Sequence, residues 1–449
     1  MMKKQLLFLT CMAVLFGCAK ENLPQRPDAA IAVGQAKSRF LTLDSIQQLA
    51  AELPECFGEG ALTRSGYTKS VADLFPLNDI LRSSATKSGE TDDAEVTKNI
   101  YVVNYADDGG FAILAADTLM ETILAYSDQG NITDTMDNPG VRMFMEMIPG
   151  YAAAQLAHDP GWDSMSMEDK YPAQSEILLR REYTQVGPFV PVRWNQTEPF
   201  NEGINWPDMF TCNNTSNGKP VAGCVAIAML NIMAANSYPT SFQVSNGWYT
   251  CYWDNWRSYL YGSWFPADSY DRRAIAALVA EIGSAVDMSY VCSSSSSSTS
   301  KADKAFKNRF NYLTDGIYSF NADRVRMELY YKRAIYVGGY ATENWIGYSH
   351  GHDWVIDGYK DVYRVWGVYN NFYDENYNLI RQEPAGERKE QETRWLHCNY
   401  GWGGTGNGYY YVGVFNTEFP VELDPNCAKP SNYYYRFKLE IIKNIRPNI

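Results

Sequence analysis

From Cys224 to Ala235 the chain is apolar almost all the way round a helical wheel, with Gly223 before the run and Pro239 soon after it. A pattern with no polar face predicts a buried helix in the middle of a domain. Elsewhere the hydrophobic period changes. Ile100 to Tyr105 and Phe111 to Ala115 read as strands joined by the turn Asp107 to Gly110, and Thr122 to Tyr126 as a third strand. Ala29 to Ala51 and Val141 to Leu156 have helical spacing, which makes the first part of the chain a small α+β block. The stretch 65–98, rich in Ser, Thr, Asp and Lys, reads as a linker or long loop.

After the apolar helix, Ala274 to Asp287 and Ala302 to Phe310 read as helices, and Cys292 to Ser300 as a flexible serine-rich loop. Then come strands: Ala334 to Gly339, Gly351 to Gly358 closed by Asp-Gly, Arg394 into the glycine-rich turn Gly401 to Gly404, Tyr409 to Phe415, and Tyr434 to Ile442. Between Gly358 and Arg394 lies an insertion of irregular, charged sequence, about 363–393. A helix first and antiparallel strands afterwards is an α+β arrangement with segregated layers.

Composition narrows the class. The chain has 449 residues, 45% of them hydrophobic, with 12 Trp and 33 Tyr, enough for two or three well-packed domains. Its net charge of −13 gives no nucleic-acid footprint. The nine cysteines show no spacing that reads as a disulfide framework or a zinc site, and no metal or cofactor is expected. Lys3 and Lys4 followed by the apolar run Leu6 to Phe16 read as a secretory signal over residues 1–17. Gly17-Cys18 resembles a lipobox, which predicts a lipid on Cys18 and a place on the cell envelope, as an outer-membrane or surface protein or one released after maturation. Cys11 falls inside the discarded segment.

Chemistry converges on the second half. Cys224 at a helix N-terminus faces unpaired N–H groups and the positive end of the dipole, which favour a thiolate. A buried structural cysteine is the alternative for a lone Cys. Three of the four histidines, His350, His352 and His397, lie in the late strands, while His158 ends a helix of the first block. A thiol nucleophile needs a base and a group to orient it. Asn399 is placed to orient an imidazole without adding charge, Gln196 to donate to an oxyanion, and the Cys224 N–H to provide a second donor. The three histidines lack the further ligands of a zinc site.

Gln196-x-x-Pro199-x-Asn201, Gly223-Cys-Val-Ala226, Gly351-His-x-x-Val-Ile-Asp-Gly358 and Asn399-x-Gly-Trp-Gly-Gly404 together resemble the streptopain family of papain-fold cysteine peptidases. The resemblance implies a papain-like catalytic domain over 191–449, a propeptide over 18–175 that acts as intramolecular inhibitor, and an activation linker over 176–190 containing Arg180-Arg181. It implies hydrolysis of protein or peptide substrates through a thioester. Cys224 is then the nucleophile, His352 the base and acid, Asn399 its orienting partner, Gln196 an oxyanion donor and Trp402 a shield over the His–Asn pair. Asp353 stands where the family has a small residue, and in an extended strand it points away from the face of His352. Two other readings use the same residues: a surface lipoprotein that keeps the fold without activity, and an amidase acting on murein peptides.

Overall fold

The computed structural model describes residues 39–58, 69–84, 90–133, 138–157, 167, 171–207, 209–245, 247–292, 294–341, 351–416 and 437–449. The signal segment with Cys11 and Cys18, the first ten residues of the 29–51 helix, His158 and His350 lie outside the described residues.

The N-terminal block opens with α1 (Leu43–Phe57), capped by the Thr42 hydroxyl, and buries Ile46, Leu49, Ala50, Leu53 and Phe57 along one stripe. The predicted linker 65–98 contains structure instead: β1 (Val71–Pro76), α2 (Leu77–Ser84) and α3 (Glu90–Val96). Its few apolar residues suffice because β1 docks on an existing strand, β2 (Ile100–Tyr105), and, among its described side chains, α2 buries Leu77 and Ile80. β3 (Phe111–Ala115) and β4 (Ile123–Ser127) complete the meander. Asp107 and Asp108 take φ of 58° and 54° in the β2–β3 turn, the left-handed conformation a tight hairpin requires. α4 (Pro139–Ala157) is capped by Asn138, whose side-chain oxygen accepts from Gly140 and Val141.

Between the blocks runs β5 (Gln174–Val186). The segment expected as a free activation linker is therefore mostly strand. The central helix α5 (Cys224–Asn236) begins at the nucleophile candidate and is buried from Val225 to Ala234. β6 (Ser241–Val244) and β7 (Gly247–Thr250) form a hairpin, followed by α6 (Trp253–Ser258), α7 (Tyr270–Ala285), α8 (Thr299–Asn308), β8 (Tyr312–Leu313), β9 (Ile317–Ser319) and α9 (Ala322–Tyr330). The serine run is packed: Ser295 donates to the Val221 carbonyl, Ser297 to the Val286 carbonyl, and Ser298 caps α8. A disulfide joins Cys212 to Cys292, a pair whose separation of 80 residues carries no spacing signal.

The late strands are β10 (Ile335–Ala341), β11 (Gly351–Tyr373), β12 (Leu379–Asn399), β13 (Gly408–Tyr411), β14 (Phe437–Ile442) and β15 (Arg446–Pro447). β11 does not stop at Asp357-Gly358; the register against β12 shifts there and pairing continues to Tyr373. The 363–393 insertion is accordingly a paired hairpin, with register shifts at Val368/Tyr369 and Phe372/Tyr373, not irregular chain. The strand expected over 409–415 ends at Tyr411 and turns into α10 (Val412–Phe415).

Eleven strands join in one sheet, in the order β1-β2-β3-β4-β13-β12-β11-β10-β14-β9, with β5 against the far part of β11. Every named pair is antiparallel, and β4 of the N-terminal block pairs directly with β13 (Gly408↔Ser127, Tyr409↔Tyr126, Tyr410↔Ala125). One face of the late strands packs on α5, where Val355, Tyr336 and Ile442 meet Val225 and Met229 in a common cluster. The other packs on α4, where Trp354, Ile356 and Tyr410 meet Met143, Phe144 and Ile148. The architecture is α+β, a buried helix on an antiparallel sheet, as the hydrophobic pattern predicts.

Candidate active site

Gly223, at φ 92°, turns the chain into α5, and a Cβ there would meet Met288 at 2.9 Å and Ser295 at 3.2 Å. Only glycine suits that backbone. The approach loop is tied down by Asn201, which exchanges hydrogen bonds with Asn217 and donates to the Pro220 carbonyl. The Ala222 N–H donates to the Gln196 carbonyl at 2.8 Å, so Gln196 runs beside the nucleophile loop.

The strand opposite α5 decides what Cys224 meets. In β11, Asp353 lies opposite Gly338 and His352 opposite Gly339 of β10. Successive side chains take opposite faces. It is Asp353 that faces α5: the Cys224 thiol donates to its Oδ2 at 3.6 Å, and the Tyr336 hydroxyl donates to its Oδ1 at 2.7 Å. His352 is on the other face, 1% exposed, stacked near-parallel to Trp354, with Nε2 at 3.0 Å from the Tyr400 carbonyl oxygen. That face belongs to the N-terminal block. Met143 of α4 lies 2.6 Å from where a Cβ on Gly339 would stand, and a Cβ on Gly140 of α4 would fall 2.1 Å from the Tyr400 ring. Gly140 is thus what lets α4 close on the residue whose carbonyl holds His352.

The expected Cys224–His352 pair is therefore not assembled in this structure. The alternation of Asp353 and His352 holds, but with the faces exchanged relative to the nucleophile. Asn399, opposite Val355, is on the α5 side. Its amide donates to the Val192 carbonyl, and its oxygen accepts from Gly401 N at 3.1 Å and Asn231 Nδ2 at 3.3 Å rather than from an imidazole. Trp402 is partly buried against the cluster that holds Trp354 and Tyr400, and its indole N–H has no partner among the described residues. The glycine-rich turn is held by the N-terminal block, since Asn138 donates to the Thr405 carbonyl and Gly406 N to the Gln129 carbonyl.

Electrostatics match the geometry. The expected lowering of the Cys224 pKa at a helix start is overridden: burial, and next the Asp353 charge, push the thiol up. Burial pushes Asp353 up to about 7 and pulls His352 down to about 4. The thiol and the imidazole therefore lie on opposite sides of the sheet with other partners, and the pair that would activate the thiol is not formed.

His397 does not join the site. Its Nδ1 lies 2.6 Å from Asp357 Oδ1, while Asp357 Oδ2 accepts from Val190 N, a buried structural pair. No group of His, Cys, Asp and Glu able to hold a metal occurs among the described residues. Sequence reasoning missed Asp353 and Tyr336 as neighbours of the thiol. The signal available was the period-two alternation, but alternation fixes only that Asp353 and His352 oppose each other.

Comparison with known proteins agrees with the motifs. Residues 194–410 match the Peptidase C10 family, and residues 64–150 match the Spi protease inhibitor. The chain is 25% identical to streptopain of Streptococcus pyogenes over 381 residues, covering 75% of this chain and 82% of that one. It is 23% identical to the thiol protease/hemagglutinin PrtT of Porphyromonas gingivalis over 394 residues, 80% of this chain and 39% of the other. A solved prointerpain A fragment from Prevotella intermedia aligns over 78% of this chain and 96% of its own at 18% identity, with a TM-score of 0.47.

Proposed function

We propose that this chain, a streptopain-like cysteine peptidase of the C10 family with its own inhibitory propeptide, is the latent precursor of a lipid-anchored endopeptidase of the cell envelope. One observation carries the latency. The N-terminal block shares the catalytic sheet and covers the face that holds His352, while Cys224 lies on the opposite face against Asp353. Removal of the block uncovers the start of β11, and a one-residue shift confined to its first residues, ahead of the buried Trp354, Val355 and Ile356, then exchanges Asp353 for His352 at the thiol.

In the assembled site the residues act in turn. His352 takes the Cys224 proton, and the thiolate attacks the substrate carbonyl carbon. The oxyanion is met by the Cys224 N–H and the Gln196 side chain. The carbon–nitrogen bond breaks as the imidazolium gives its proton to the leaving amine, which leaves a thioester. His352 then draws a proton from water, hydroxide adds to the thioester, and the thiol is expelled with the acid product. Asn399 orients the imidazole and Trp402 shields the pair. The leader Lys3 to Phe16 and Gly17-Cys18 support export and lipid attachment at Cys18.

The test compares the wild-type chain with Cys224→Ala. Wild type should process itself and hydrolyse unfolded protein after propeptide removal, and the variant should do neither while keeping its fold. A matured chain that binds no electrophilic thiol probe and cuts no peptide would instead support the inactive surface binder, which the Asp353 contact also suits. Metabolic labelling with a fatty acid that marks wild type but not Cys18→Ser tests the anchor.

A further inference from the structure

The far halves of β11 and β12 play no part in this chemistry, yet they hold the segment that joins the two blocks along its length. β5 pairs with β11 from Val186↔Tyr359 to Gln174↔Asn370, with Arg181 opposite Arg364 and Arg180 opposite Val365. Side chains of β12 reach over the middle strand to the same segment. The Glu176 carboxylate accepts from Arg388 Nε and Nη2, both at 2.7 Å, and Glu182 accepts from Lys389 at 2.7 Å. At the lower end Ser175 bonds with Asn371 and Gln382, and the Pro172 carbonyl accepts from Asn371 and the Tyr373 hydroxyl. The Tyr171 ring packs on Tyr373 and Tyr377.

We propose that the 363–393 hairpin is an intramolecular docking surface for the activation segment, which it withholds from peptidases by keeping it as a strand. A peptidase cleaves a segment only after it opens locally, so the cleavage rate follows the population of the opened form. The hairpin sets that population with main-chain pairing and two charge pairs from β12. This rests on the reading that maturation cuts within about residues 174–190.

Limited trypsin digestion of the full Cys224→Ala chain tests it, with N-terminal sequencing to follow the cut at Arg180-Arg181 and a free peptide of residues 174–186 to set the unrestrained rate. β5 in the chain with the wild-type hairpin should be cut far more slowly than the peptide. Arg388→Glu with Lys389→Glu should speed the cut by about two- to thirtyfold at low salt, the range for two exposed ion pairs. Added salt should raise the rate of the chain with the intact hairpin towards that of the variant. Equal rates of β5 cleavage in the wild-type and variant chains at low salt, or a chain cut as fast as the peptide, would overturn the docking role. Sequencing the self-matured wild type tests the underlying reading separately: a new N-terminus outside 174–190 would remove the link to maturation even where the digestion rates differ as expected.

Discussion

Replacing Asp353 tests the latent site at its most specific contact. The carboxylate and the Cys224 sulfur are 3.6 Å apart. Two full charges at that separation repel by ~4–5 kcal/mol at an effective dielectric of about 20, which is about three pK units on the thiol. Asp353→Ala, or the near-isosteric Asp353→Asn, removes that repulsion and leaves the burial. The thiolate fraction then rises about a thousandfold, while the intrinsic reactivity of each thiolate falls by about the square root of that factor, for a net gain of about thirtyfold. The assay is the rate at which iodoacetamide modifies Cys224 in the uncut chain, followed by mass spectrometry of the peptide that contains it. The pH dependence has a definite sign. Burial holds Asp353 up at about 7, so in the wild type the carboxylate is charged above that value and neutral below it. The variant's advantage should be greatest above pH 7 and shrink as pH falls through it. Variants that label no faster than wild type at pH 8 would refute the reasoning and leave burial alone as the restraint on the thiol.

Four further outcomes are expected. His352→Ala should abolish peptide hydrolysis by the matured enzyme while His350→Ala leaves most of it, and the reverse result would move the base to His350. Burial depresses His352 to about 4 from an ordinary value near 6.5, so its contribution to the latent fold is complete above pH 6.5 and is lost as pH falls towards 4. The melting temperature of Cys224→Ala should therefore drop more over that window than that of Cys224→Ala/His352→Leu, by an amount equivalent to at most ~3 kcal/mol. A Cys224→Ala chain cut once within β5 should still run as a single complex on gel filtration. Lys360→Ala should weaken that complex by about tenfold, because Lys360 donates to the Cys56 carbonyl of α1 and sits 4.9 and 4.6 Å from the Phe57 and Tyr409 ring centroids; an unchanged dissociation constant would remove Lys360 as an anchor.

The parts of the fold legible in the sequence were those with a local cause. The helix that starts at Cys224 is apolar on all sides and preceded by a glycine at positive φ, and both features are written in adjacent residues. The β2–β3 hairpin announces itself through Asp107 to Gly110. What was misread depends on partners distant in the chain. Glu176, Glu182, Arg388 and Lys389 look like solvated linker residues until β5 and β12 lie on either side of β11 and the charges pair across it. Cys212 and Cys292 have no spacing signature because their meeting is set by the loop before α5 and the serine run. At the site, alternation separates His352 from Asp353, but the register against β10 decides which one faces the helix, and that register is not encoded in β11 alone.

The shared sheet makes a covalent tether only part of the inhibition. Met143, Phe144, Met145 and Ile148 of α4 are each at most 4% exposed in a cluster with Trp354, Ile356, Tyr410 and Phe415 of the catalytic block. Phe144 packs edge-on against Tyr410 and Phe415, and Met143 lies against Gly339, so these two side chains contribute at most ~3–6 kcal/mol towards keeping the blocks together, at ~1.5–3 kcal/mol each. Backbone pairing between β4 and β13 adds to that, and separation would leave both strands with unpaired edges. These contacts persist after the chain is cut, and the pieces are expected to stay associated without a peptide bond to the extent that they exceed the cost of association, ~4–15 kcal/mol. A single cut in β5 relieves the tether and leaves the face over His352 covered. In the proposed maturation, release then requires that the N-terminal block itself be unfolded or degraded, so its irreversible loss, more than the first cut, would be the step that frees β11 to turn His352 towards Cys224.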